Sequence, residues 1–449
     1  MEKITNSSSN EVEFENAVSF SGNVDVVQAP GPIKFTGGAT GTWLERATTM
    51  HGTYNFTGSG DRIEHGGTTV TSDGVYNLPN ATFYKHNADF HMEADGRAVV
   101  KDAKIASTES ERRLMGTFNG EFKVNGEFYV SGSGGNNPTH YVCSSGNGTF
   151  IANKLRVVQN ACIVPSAKTI MGPDGIIRGA GYVRVYNSGS HEFGSYADWT
   201  MYHNNLGNTT TGDCVIFKRS SSDKWSNITF DTTDYYDKTI GRTITSEAPI
   251  GAADTASAEK FRVAVKGVGK FVFANTSDGT IFSGGLTVTD SATVEVMPNA
   301  WPGKGPVTLN GTSTLLLHTG GDARTGAIMV NDGATLKVAE TGTATLGGEL
   351  RLNDGATLAF NFTEKNAVPR LVAPSVTFGD SANVRVAVSR GDRMVARGSY
   401  TIVEGLGNDV TSDRFQFAGE KPKWVGSMCV EDGKLVLNTI GAGFTFILK

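Results

Sequence analysis

Short runs in which apolar and polar residues alternate recur along the chain, and five of them between residues 286 and 386 share one layout. They are Leu286–Val296, Val307–Leu317, Ile328–Val338, Leu350–Phe360 and Val376–Val386. Each has apolar residues at its first, third, ninth and eleventh positions. Each also has a small residue at its seventh: Ala292, Ser313, Ala334, Ala356 and Ala382. The starts are separated by 21, 21, 22 and 26 residues, and self-similarity at such a period marks a solenoid or array. Period-two alternation on both sides of a turn means two short strands with one buried face each. Asn331-Asp332-Gly333 and Asn353-Asp354-Gly355 mark that turn, where a positive φ is needed and glycine supplies it without a Cβ clash.

An Asp-Gly hairpin is the simplest alternative. In a two-residue loop at Asp354-Gly355, Leu352 would oppose Thr357, yet opposed residues share a face. Opposing Leu352 with Leu358 needs an odd-length loop. The layout therefore favours an arch, in which each strand pairs with its copy in the next repeat; a bulged three-residue hairpin stays open. Coils stacked this way rise about 4.8 Å each, bury columns of Val, Leu, Ile and Phe, and depend on their neighbours and on end caps. The expected fold class is all-β, a β-solenoid with 21–22 residues per coil in the C-terminal half.

Residues 1–186 read as less regular coils of the same chemistry, with alternations such as Tyr54-Asn-Phe56, Phe122-Lys-Val124 and Val183-Arg-Val185. Ser107–Met115, ending at Gly116, is the one helix candidate. Residues 187–245 loosen into polar sequence around Trp199 and Trp225 and read as an insertion, side loop or boundary. Residues 246–388 hold the regular repeats, and 389–449, with Trp424 and Leu435-Val-Leu437, read as closing coils and cap.

Composition narrows the function. Glycine supplies 56 of 449 residues, and charged residues are 19% against about 25% in an average domain, which suits turn-rich strands. The net charge is −5, with 40 basic and 45 acidic residues spread thinly, so no basic cluster points to a nucleic-acid partner. No apolar run is long enough for a transmembrane helix. Cys143, Cys162, Cys214 and Cys429 form no Cys-x-x-Cys pair, which disfavours a zinc or redox motif. Cys143 and Cys162 lie 19 residues apart, about one coil, so they stack as small buried residues or pair.

The repeat block resembles the autotransporter-associated β-strand repeat of bacterial surface proteins. The resemblance rests on Gly267-Val-Gly269-Lys-Phe-Val-Phe273, Asn275, Phe282-Ser-Gly-Gly285, Leu286-Thr-Val288 and Ala292-Thr-Val294, within roughly 228–386. It implies a right-handed, single-stranded parallel β-helix, export, and an extracellular or cell-surface location. Met1–Asn10 has no apolar core of a signal peptide, so an exported protein would carry its leader outside this sequence. A full autotransporter ends in a membrane barrel. Here the chain stops at Gly443–Lys449 soon after the repeats, so either the barrel is absent or another anchor is used.

Candidate chemistry is sparse. Asp89, His91, Glu93 and Asp95 share one face if they form a strand and could hold a divalent cation, but Phe90, Met92 and Ala94 opposite them read as core, which makes the polar face simply the solvent side. Asp231, Asp234 and Asp237 lack the alternate spacing of a calcium loop and read as an exposed turn. No metal or other cofactor is expected. A polysaccharide lyase or hydrolase on a β-helix is the main enzymatic alternative, and it needs charged side chains from several coils converging on one groove. Asp61, Arg62, Glu64 and His65, and Arg385, Arg390 and Arg393, are its scattered candidates. The preferred function is a non-catalytic surface scaffold or adhesin. Its partner would be a glycan or a neighbouring cell surface, contacted through Tyr196, Trp199, Tyr202, Trp225, Tyr235 and Tyr236.

Overall fold

The computed structural model describes residues 2–440 apart from short stretches, the longest being 132–139, 203–224 and 252–258. The chain divides into two compact units, Met1–Ser222 and Asp223–Lys449. Both are built from parallel strand stacks, the β-solenoid that the alternation predicts.

In the second unit the five repeats stack arm on arm. Leu286 pairs with Val307, Val307 with Ile328, Ile328 with Leu350, and Leu350 with Val376, all in parallel. The second arms do the same through Val294, Leu315, Leu336 and Leu358. Each strand therefore meets its copy one coil away, and the hairpin alternative is excluded. Earlier coils continue the columns: Ile228 pairs with Val263 and Val263 with Leu286, while Ile244 pairs with Phe271 and Phe271 with Val294. The first-arm residues Leu286, Val288, Val307, Leu309, Ile328, Val330, Leu350 and Leu352 are at most 1% exposed.

The turn explains the small seventh residue. The amides of Ala292, Ser313, Ala334, Ala356 and Ala382 each donate to the carbonyl three residues back, and all five residues are fully buried. Gly333 and Gly355 adopt φ of 76° and 71°, whereas in the two preceding repeats the left-handed residue falls one position earlier, at Asp290 (59°) and Gly311 (64°). The fourth position carries a ladder that the sequence shows only as turn asparagines. Asn331 Nδ2 donates to Asn310 Oδ1 at 2.7 Å, and Asn353 Nδ2 donates to Asn331 Oδ1.

The fifth repeat departs from the simple alignment. Val376 keeps register with Leu350, but Val386 rather than Val384 pairs with Leu358. The slip is two residues, so the inward face is preserved, and Val384 and Val386 are both buried. Beyond it, Gly398–Leu406 adds to the stack in parallel. Lys434–Thr439 then pairs antiparallel with it and with Val425–Glu431. Asp432 and Gly433 both take positive φ, 48° and 71°, the requirement of a two-residue hairpin turn. The hairpin gives the open edge of Gly398–Leu406 a partner and ends the run of parallel pairing.

In the first unit Thr53–Phe56, Val75–Lys85, Arg97–Ala106, Glu121–Ser131, Thr149–Val158 and Lys168–Arg178 pair in parallel in chain order. Its core is aromatic: Phe83 meets Phe90 at 5.1 Å and Phe122 at 5.5 Å, both edge-to-face, a favoured geometry. Arg112–Phe118 corrects the helix expectation. It is a strand, paired in parallel with Phe90–Met92 and His140–Ser145; residues 107–111 lie outside the described residues. Local helix propensity is a weak preference that ladder pairing on both sides overrides.

Candidate functional site

The aromatic residues singled out in the sequence fall in both units. Tyr196, Trp199 and Tyr202 belong to the first unit, and Trp225, Tyr235 and Tyr236 to the second. Trp199 is interior, 3% exposed, with its indole nitrogen donating to Ser195 Oγ at 2.8 Å. Tyr196 is half-buried, and its hydroxyl donates to Asn153 Oδ1 at 2.6 Å. Tyr202 is exposed. Trp225 is exposed under the Arg262 guanidinium, 3.8 Å from its ring centre. Trp225 precedes the strand Ser226–Asp234 and Tyr235 and Tyr236 follow it, so these three lie at opposite ends of one element.

The segment after that strand is a fixed loop. Thr233 and Gly241 form an antiparallel bridge, and the Asp234 amide donates to Ile240 O. The Asp234 carboxylate, only 4% exposed, holds the loop from inside. Its Oδ1 accepts the amides of Tyr236 and Asp237, each at 2.8 Å. Its Oδ2 accepts Arg242 Nε at 2.6 Å and Nη2 at 2.5 Å. Burial pushes this carboxyl up, but the two amides and the guanidinium outweigh it and hold it below its ordinary range. Asp234 is thus a buried anchor, which corrects the exposed-turn expectation for that position. Above it Tyr236 stands 60% exposed, edge-on to Tyr235 with ring centres 5.0 Å apart. Lys238 Nζ lies 5.1 Å from the centre of the Tyr235 ring and donates to Tyr235 O. Ile240 and, on the next coil, Val268 are also exposed.

A second feature lies in the first unit, where each coil turns a corner inside a long strand. The parallel register breaks there on successive coils, between Leu78 and Thr82, Val100 and Ala103, Val124 and Glu127, and Ala152 and Lys154. The corners differ in length: Asn125 and Gly126 on one coil, Asn153 alone on the next, and residues 172–175 on the one after. The short corner is recessed between two longer ones, and a cavity of about 410 Å³ opens over it. Asp102, Asn125, Gly126, Glu127, Asn153, Lys154 and Pro173 line it. Asn153 is locked into the floor, its Nδ2 donating to Asn125 O at 2.6 Å while its Oδ1 accepts Tyr196. Asp102 Oδ1 accepts the Glu127 amide at 2.8 Å. A Cβ on Gly126 would collide with that carboxylate, and one on Gly172 would collide with both Tyr196 and Asn153. Asp102, Glu127 and Lys154 therefore converge from three coils, the arrangement an enzyme on this fold requires. Sequence reasoning missed it because each coil contributes only one or two ordinary turn residues.

His91 follows Phe90 on the strand Phe90–Met92, but that strand ends at Met92. Glu93 then accepts the Ser72 amide at 3.1 Å, Ala94 is exposed rather than core, and Asp95 takes a positive φ of 67°. Asp89 lies outside the described residues, among which no group of three metal-binding side chains occurs. The strand Gly60–Glu64 and Arg385 and Arg390 belong to different units, while His65 and Arg393 lie outside the described residues. Among the described residues no helix is long and apolar enough to cross a membrane.

No family model matches the chain, and no curated protein matches it. A solved structure that aligns with it is the TibC-catalyzed hyper-glycosylated TibA55-350 fragment. The two share 13% identity over 86% of this chain and 97% of that one, with a TM-score of 0.20. At that score the likeness carries no argument about function.

Proposed function

We propose that this chain is a non-catalytic β-solenoid scaffold of an exported bacterial surface protein. In this reading it adheres to glycans or to a neighbouring cell surface, and needs no cofactor. The resemblance of its repeats to passenger repeats supports the location. The observation that carries the adhesive reading is the stapled loop, in which Tyr236 stands 60% exposed on a backbone fixed by a buried ion pair. A tyrosine held in place loses little entropy on contact, which suits it as an anchor. Adhesion of the purified chain to glycan arrays and bacterial or host cells tests the reading: Tyr236→Ala should lower retention at least fivefold with the melting temperature unchanged. No retention on any surface would end it.

A polysaccharide-cleaving enzyme is the second reading, and the convergence of Asp102, Glu127 and Lys154 favours it. Against it, Asp102 is 29% exposed in an open groove, whereas bond cleavage is served by a site that excludes water. Release of new reducing or unsaturated ends from polysaccharides would establish the enzyme.

A further inference from the structure

We infer that the corner groove of the first unit binds a linear oligosaccharide free of acidic groups, lying along the solenoid axis. The inference shares the glycan class with the proposed function but stands on a different site, so either can fail alone.

The groove is a consequence of unequal corners, and its lining repeats with the coils. Asp102, then Asn125 and Glu127, then Asn153 and Lys154, then Pro173 occur on four successive coils. Adjacent coils are about 4.8 Å apart, close to the length of one pyranose ring. A peptide advances about 3.3 Å per residue and would not meet equivalent groups coil after coil. The lining side chains are planar amides, carboxylates and one ammonium. These pair with hydroxyls, which both donate and accept. Asp102 and Glu127 stand beside Lys154, and Lys101 Nζ lies 3.9 Å from Asp102 Oδ2, so the groove offers no surplus of cations to uronates, sulfates or phosphates. The cavity volume of about 410 Å³ lies within the usual range for ligand pockets and exceeds what a single ion needs.

The polar groups are also held in place. Asn153 spends both ends of its amide inside the protein, and Asp102 is fixed by the Glu127 amide. Gly126 and Gly172 leave the space these bonds occupy. Asn125 and Lys154 are exposed at the rim, and Lys154 forms no ion pair among the described residues. Register breaks of this kind re-aim side chains and are enriched beside functional sites. Tyr196, expected from the sequence to bind a ligand directly, acts here as a positioning residue that orients Asn153.

The test is affinity electrophoresis of the full chain in gels containing xylan, glucomannan, mixed-linkage β-glucan or polygalacturonate. At least one neutral polysaccharide should retard the chain, and polygalacturonate should not. Asn125→Ala and Lys154→Ala, both at the rim, should weaken that binding about tenfold each while melting temperatures stay unchanged; Gly126→Val should abolish it. Tyr196→Phe should weaken binding without removing it, and Tyr236→Ala should leave it intact. Failure of all three neutral polymers to retard the chain overturns the inference, and so does retardation insensitive to both rim variants. Preference for polygalacturonate overturns the ligand class. Loss of groove binding with Tyr236-dependent adhesion preserved would leave the proposed function standing. Cleavage of the bound polymer would support the groove and end the non-catalytic reading.

Discussion

Replacing Arg242 with methionine keeps the aliphatic stem and removes the guanidinium that pairs with Asp234. The carboxylate left behind is 4% exposed and keeps only the amides of Tyr236 and Asp237. Breaking a fully buried pair costs about 3–5 kcal/mol. Arg242 is itself 29% exposed and two donors remain, so water and backbone offset part of that loss and about 2 kcal/mol is expected. Adding Asp234→Asn removes the orphaned charge, so the double variant should be less destabilised than the two single changes together, with a coupling of about 1–2 kcal/mol. Solenoid coils open locally, so hydrogen exchange is the direct assay. Amides of residues 232–242 should exchange about thirtyfold faster in Arg242→Met, following about 1.4 kcal/mol per tenfold. The pH dependence has a definite sign. Asp234 is held below its ordinary value when folded, so its contribution is complete above the unfolded value near pH 3.9 and is lost as pH falls through the depressed folded value. Arg242→Met should bring acid opening of this loop to higher pH. Unchanged exchange at 232–242, or a coupling below about 0.5 kcal/mol, would refute the reasoning.

Three further outcomes follow from the stack. Gly355→Val should destabilise the second unit by about 2–3 kcal/mol in urea unfolding, because valine must take a left-handed backbone and its Cβ would meet the Asp332 carboxylate; unchanged stability contradicts the turn geometry. Asn331→Leu interrupts the amide ladder between Asn310 and Asn353 and should cost about 1–2 kcal/mol, whereas Asn331→Asp should cost more at pH 7 than at pH 3. Glu295 accepts Lys270 at 2.9 Å and His318 at 2.7 Å; burial raises its carboxyl, and those two partners outweigh burial and lower it. Glu295→Gln should therefore destabilise most above pH 4.3, the difference shrinking as pH falls through the depressed folded value; melting curves against pH read this, and a constant difference would contradict it.

The sequence disclosed whatever repeats at a fixed period. Leu286, Val307, Ile328 and Leu350 announce a column because identical chemistry recurs every 21 or 22 residues. Leu352 facing Thr357 is enough to set the simplest hairpin aside. The same dipeptide, Asp-Gly, makes an arch at 354–355 and a hairpin at 432–433; the difference lies in whether a next coil is there to pair. The two-residue slip in the fifth repeat left no trace, because a shift of two preserves the apolar face at Val384 and Val386. The first unit was less legible because its core mixes large rings with Ala98 and Ala103 in the same columns, and side-chain volume is balanced across coils rather than repeated. The Asp234–Arg242 staple and the corner groove depend on which residues meet in space, and spacing along the chain carries neither.

The fold depends on strands pairing with their copies one coil away. Met329 pairs with Arg351 in the parallel stack, whereas a hairpin centred on Gly355 would oppose Arg351 with Ala359. Cysteine pairs at these positions, in a chain with the native cysteines replaced by serine, separate the two. Oxidation should close an intramolecular disulfide in Met329→Cys/Arg351→Cys, since neighbouring strands place the Cα atoms within the roughly 4.4–6.8 Å a disulfide spans. A disulfide in Arg351→Cys/Ala359→Cys, with none in the first pair, would contradict the parallel stack.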